Sequence, residues 1–92
     1  MTYRDFMNMK LGVYTIEKTL FDGEAEKIIA ETSTGEITVL DGHVPLVSEL
    51  TQGEIRILDP EKRETRLPIQ AGFIEVRPEN KTVILAEQKS AS

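Results

Sequence analysis

The sequence predicts an all-β fold, a single antiparallel β-sandwich of about nine or ten short strands. Apolar and polar residues alternate over short segments, Gly, Pro, Asp and Asn punctuate them, and no segment sustains an apolar period of 3.6. Candidate strands lie at residues 11–16, 19–22, 25–32, 36–40, 44–50, 54–58, 65–70, 73–77 and 82–86.

In the strand at 36–40, Ile37 and Val39 point one way and Glu36 and Thr38 the other, the period-two pattern of a half-buried strand. Asp41 and Gly42 then supply turn chemistry, and Pro45 cannot donate to a ladder and biases Val44 toward an extended backbone. Further along, Ile55 and Ile57 flank Arg56, Leu67 and Ile69 flank Pro68, Ile74 and Val76 flank Glu75, and Val83 and Leu85 flank Ile84. Each pair shares one face of a pleated strand and is expected in the core. Residues 59–63 and 78–81 read as hairpin connections, because proline presets one turn dihedral and Asn tolerates a positive one. Pro68 fits only an edge strand or a bulge.

Ninety-two residues bound the chain to one modest domain, and without cysteine it has no disulfides to support a small core. Sixteen acidic against eleven basic residues give a net charge of −5, the wrong sign for gripping phosphate backbones, so nucleic acid is not an expected partner. No apolar run reaches the roughly 18 residues that would span a bilayer, and no secretory leader is evident, so no direct membrane insertion is expected.

Nothing in the chain reads as catalytic machinery. Ser48 lies five residues after His43, the only histidine, and on one extended segment the two side chains would be far apart and on opposite faces. One histidine and no cysteine argue against a transition-metal site, since zinc draws on several such ligands at fixed spacings. The acidic residues Asp22, Glu24 and Glu26 line a solvated strand face, and neither GxxxxGK[ST] nor GxGxxG occurs. Catalytic residues, metal and cofactors are therefore none, and His43 is read first as a residue that fixes its turn.

The strand and turn at residues 35–46, with Gly42, His43, Pro45 and Leu46 standing as Gly-His-x-Pro-Leu, resemble the N-terminal domain of the epsilon subunit of the rotary, F-type ATP synthase. Residues 15–23, TIEKTLFDG, are similar to that family's opening; residues 70–76, QAGFIEV, to its Gly-Gly-Phe segment; and residues 82–87, TVILAE, to its closing strand. Four matches in register cover about residues 10–87. Two departures stand out: Asp41 occupies a position where the family commonly has proline, and Ala71 replaces the first glycine of a pair. Alanine tolerates a positive φ poorly, so either the backbone at 71 is ordinary or the bend differs.

The resemblance implies an epsilon-type sandwich over residues 10–87, with a short polar tail at 88–92. Residues 1–9 are either an extension ahead of an initiator at Met7 or Met9, or the start of a first strand near Tyr3. It implies a non-enzymatic rotor subunit in the central stalk, on the cytoplasmic face of the cell membrane or its organelle equivalent, holding the gamma subunit and the polar loops of the c-ring together. Glu36 would face the ring, and Asp41, Gly42, His43, Pro45, Leu46, Val47 and Ser48 would lie along the partner contacts. Gly23, Gly72 and Phe73 would be structural, with Phe21 and Phe73 in core strands. Family members usually continue into a regulatory helical hairpin, which in some binds ATP; neither its regulation nor nucleotide binding is expected of these residues. The alternative is a free-standing sandwich that binds a protein or carbohydrate, although the chain offers no tryptophan as a sugar platform.

Overall fold

The computed structural model describes residues 8–88. Among the described residues nine strands follow one another: β1 (Met9–Tyr14), β2 (Thr19–Ala25), β3 (Lys27–Thr32), β4 (Gly35–Leu40), β5 (Leu46–Leu50), β6 (Gly53–Leu58), β7 (Glu64–Ile69), β8 (Ala71–Arg77) and β9 (Lys81–Glu87). They form a five-stranded sheet, β2-β1-β9-β8-β5, packed on a four-stranded sheet, β4-β3-β6-β7. The expected sandwich is therefore present. Its one parallel pair joins β1 to β9, with Leu11 opposite Thr82; all other neighbours are antiparallel. Parallel pairing needs a long return connection, and here that connection is the body of the sandwich.

Alternation builds the core. Leu11 and Val13 of β1, Ile28 and Ala30 of β3, Ile55 and Ile57 of β6, and Ile74 and Val76 of β8 all turn inward and are buried. Burying an aliphatic side chain of this size is worth about 1.5–3 kcal/mol relative to exposure, which is why each inward stripe is apolar. Thr82 is the polar exception, fully buried with its hydroxyl 3.6 Å from the Met9 sulfur.

Several sequence expectations need correction. The strand expected at 25–32 begins at Lys27, and the one expected at 19–22 runs on to Ala25, because the chain leaves one sheet at Ala25 and enters the other at Lys27, with the Glu26 amide donating to the Leu58 carbonyl. The first strand ends at Tyr14 rather than 16: the Thr15 hydroxyl accepts the amides of Glu17 and Lys18 and starts a turn. The strand expected to begin at 44 begins at Leu46, after Pro45. Val83 and Leu85 do not join the core; Thr82, Ile84 and Ala86 do. Phe73 likewise lies on a core strand but points out, 55 % exposed.

Other expectations hold. Pro68 sits on β7, an edge strand paired only with β6. Ala71 is not among the residues of positive φ, so its backbone is ordinary; Lys62, Glu79 and Asn80 are the non-glycine residues that adopt it, in the two expected hairpin connections. At Gly72 a Cβ would meet the Leu85 carbonyl oxygen at 2.6 Å, so the close approach of β9 requires glycine there. Gly23 differs: a Cβ there would touch the Phe21 ring only at an ordinary 3.6 Å, so this geometry makes no demand for glycine. Residues 1–7 and 89–92, on which the readings of an N-terminal extension and a polar tail largely fall, lie outside the described residues. Met9 itself is buried in β1, and Gln88 is anchored by its side-chain amide, which donates to the Pro68 carbonyl at 2.9 Å.

Candidate docking surfaces

The two outer faces of the sandwich differ in chemistry. On the four-stranded sheet, outward positions carry charge: Arg56 of β6 lies opposite Arg66 of β7, and carboxylates surround both. Arg56 reaches Glu36 at 2.8 Å, and Arg66 reaches Glu64 at 3.1 Å and Glu54 at 3.6 Å. The hydrogen bond and charge of Glu64, then the charge of Glu54, raise the Arg66 pKa above its ordinary value. Such a face is content in water.

The outer face of the five-stranded sheet is not. One row across it reads Glu49, Phe73, Leu85 and Tyr14, on β5, β8, β9 and β1. The next row reads Val47, Glu75, Val83 and Gly12. Phe73, Leu85 and Val47 are 55 %, 58 % and 70 % exposed. Tyr14 folds its ring back over Gly12, where a Cβ would overlap it. Carboxylates border this stripe at Asp22, Glu49 and Glu87, and Glu75 within it is paired to Arg77 at 3.1 Å. A shallow groove lined by Ile16, Lys18, Gly72, Phe73, Leu85 and Gln88 prolongs the stripe, and Ile16 at its rim is fully exposed. A contiguous apolar patch rimmed by charge is characteristic of a protein contact.

The sequence-derived contact residues do not form one point. Glu36 stands beside the turn at one end of β4 and Asp41 follows the other end, about 17 Å apart at the rise of a strand. Glu36 is exposed and held by Arg56. The turn closes with the His43 amide donating to the Leu40 carbonyl at 3.0 Å, and Gly42 supplies the positive φ of 79° that it requires. The His43 Nδ1 lies 2.7 Å from the Val44 carbonyl, so that nitrogen carries the proton and donates. The ring therefore bonds to the residue next to it, and the backbone bond to Leu40 closes the turn. Ser48 donates to the Glu49 carbonyl at 3.3 Å, and no hydrogen bond joins it to His43. Pro45 and Val47 are exposed, while Leu46 packs against the core and Ser48 is half-buried.

Phe73 and Leu85 are the surface residues that sequence reasoning placed inside. The signal for Leu85 was available only indirectly: Val83, Ile84, Leu85 and Ala86 are all apolar, so alternation could not say which parity faces in. Among the described residues, no group of three or more His, Asp or Glu side chains is arranged to hold a metal ion, and no helix is long and apolar enough to cross a membrane.

Known proteins share this fold. The family described as ATP synthase, Delta/Epsilon chain, beta-sandwich domain matches residues 8–91. The ATP synthase epsilon chain of Brevibacillus brevis is 38 % identical over 79 residues, 86 % of this chain but 59 % of that one. That of Chlorobium limicola is 36 % identical over 81 residues, 88 % of this chain and 91 % of that one. The chain thus spans under two thirds of the Brevibacillus relative and nearly all of the Chlorobium one. Among solved structures, a chain of the Euglena gracilis mitochondrial ATP synthase, OSCP/F1/c-ring, superposes with a TM-score of 0.82 at 21 % identity, covering 87 % of this chain and 51 % of that one. At that identity the likeness speaks for the fold.

Proposed function

The chain belongs to the ATP synthase delta/epsilon-chain β-sandwich family, and from that premise we propose that it is a non-catalytic central-stalk subunit that joins the gamma subunit to the c-ring. On this reading it transmits torque by contact, at the cytoplasmic membrane face or its organelle equivalent, and has no active site of its own. The observation that carries the proposal is the exposed row of Phe73, Leu85 and Tyr14 with Val47 beside it. Leaving Phe73 and Leu85 in water has no value to the isolated fold, whereas an apolar partner surface would cover them and gain their burial.

Gamma is assigned to this face and to the adjoining residues 41–48, a turn at 41–45 running directly into the edge strand β5. Glu36, at the far end of β4, is assigned to the ring's polar loops, where a rim charge sets orientation and association rate more than affinity. Co-purification of the chain with gamma tests the assignment. Phe73→Asp with Leu85→Asp is expected to abolish the complex while the variant stays folded, and Glu36→Lys to reduce cross-linking to the ring with gamma still bound. A wild-type chain that forms no complex with gamma overturns the reading, as does a complex indifferent to both apolar replacements.

A further inference from the structure

Asn80 lies in the β8–β9 hairpin of the five-stranded sheet, with a positive φ of 60°. Its side chain serves two other segments at once. Its Oδ1 accepts the Gly42 amide at 3.0 Å, and its Nδ2 donates to the Asp41 carboxylate and, at 3.1 Å, to the Asn8 carbonyl. Its own carbonyl accepts the Lys10 amide at 3.0 Å. The partners lie 38, 39 and 72 residues away in sequence, and the Asp41 turn comes off β4, a strand of the opposite sheet.

We infer that Asn80 is the positioning residue of the crossover between β4 and β5: it grips the Asp41 and Gly42 turn from across the sandwich and so sets the shape in which His43 and Pro45 are presented. The sequence departure at Asp41 acquires a purpose in this geometry. A carboxylate can accept from the Asn80 amide, and a charged acceptor makes the stronger hydrogen bond; a proline ring offers no such acceptor. The turn is then held by a side-chain pair rather than by ring rigidity. The consequence for partner binding rests on the docking role proposed above, whereas the clamp itself does not.

The two ideas separate experimentally. Asn80→Gly removes the side chain while keeping a residue suited to positive φ, and Asn80→Ala adds the strain of that backbone. In the 92-residue chain, Asn80→Gly is expected to speed amide exchange at Gly42 and His43 by roughly 5- to 30-fold, the scale of one or two net hydrogen bonds, with exchange of the Ile74 and Ile84 amides unchanged. Asp41→Ala leaves the bond from the Gly42 amide to Asn80 in place, so it should act in the same direction but more weakly, and add little in the Asn80→Gly background. Asn80→Asp sets two carboxylates together and should open the turn, and pairing it with Asp41→Asn should restore the contact within the turn, since the amide donor then comes from position 41, while the bond to the Asn8 carbonyl stays lost. Unchanged exchange at Gly42 and His43, or additive effects of the two single changes, overturns the clamp. Faster turn exchange with unaltered gamma affinity supports the clamp and counts against docking through this turn.

Discussion

Phe73 on β8 lies directly opposite Leu85 on β9, and both side chains leave the core, one 55 % and the other 58 % exposed. Their neighbours in sequence, Ile74 and Ile84, also face one another and are completely buried. Adjacent pairs on one hairpin thus have opposite fates. Replacing Phe73 and Leu85 with Ser is expected to shift folding stability by less than about 1 kcal/mol, within the range of surface changes. A urea titration checks this beside a gamma pull-down; a large loss of stability would mean that the pair supports the fold.

Ile74→Ala and Ile84→Ala should each cost about 2–5 kcal/mol, because both side chains sit in the centre of the packed core and leave a cavity. The denaturant midpoint reports the loss, and an unchanged slope would show that the unfolding transition remains the same.

Gly72→Ala and Gly12→Ala form a matched pair. At Gly72 the new Cβ collides with the Leu85 backbone carbonyl at 2.6 Å, and only movement of β9 relieves it. At Gly12 the obstruction is the Tyr14 ring, the far end of a side chain that can rotate away. The first change is expected to lower stability by about 1–3 kcal/mol, and the second by less. Thermal melts rank the two, and Gly12→Ala should in addition alter Tyr14 fluorescence.

Glu36→Gln breaks the 2.8 Å pair with Arg56, yet both side chains are well exposed, at 46 % and 34 %. Solvent screening holds such pairs to at most about 1 kcal/mol, so the melting temperature should barely move. What should change is the salt dependence of association with the ring, measured on the assembled complex at low and moderate ionic strength.

Some of this is legible in the sequence alone. All nine strands were placed, with errors at their ends where local chemistry intervenes: the Thr15 hydroxyl capping a turn, and the switch of sheets at Glu26. The edge position of Pro68 followed from its missing donor, and the turn at Asp41 and Gly42 from residue type alone. The Asn80 clamp was hidden because its partners are 38 to 72 residues away, and nothing in local pattern links a hairpin residue to a crossover in the other sheet.

Period-two patterning with its turn punctuation determined the class of fold, a count of about nine or ten strands and most of the core, since burial of alternate aliphatic side chains is a local property of a pleated strand. The family resemblance came from something else, four short motifs in register, including the Gly42, His43, Pro45 and Leu46 turn. Only the tertiary structure decided which parity of β9 faces inward, and thereby turned Leu85 and Phe73 into a surface. The physical reason is that an unbroken apolar run such as Val83, Ile84, Leu85 and Ala86 fits the core with either face, and the choice is made by its neighbours: Gly72 admits the β9 backbone, and Met9 receives the inward Thr82.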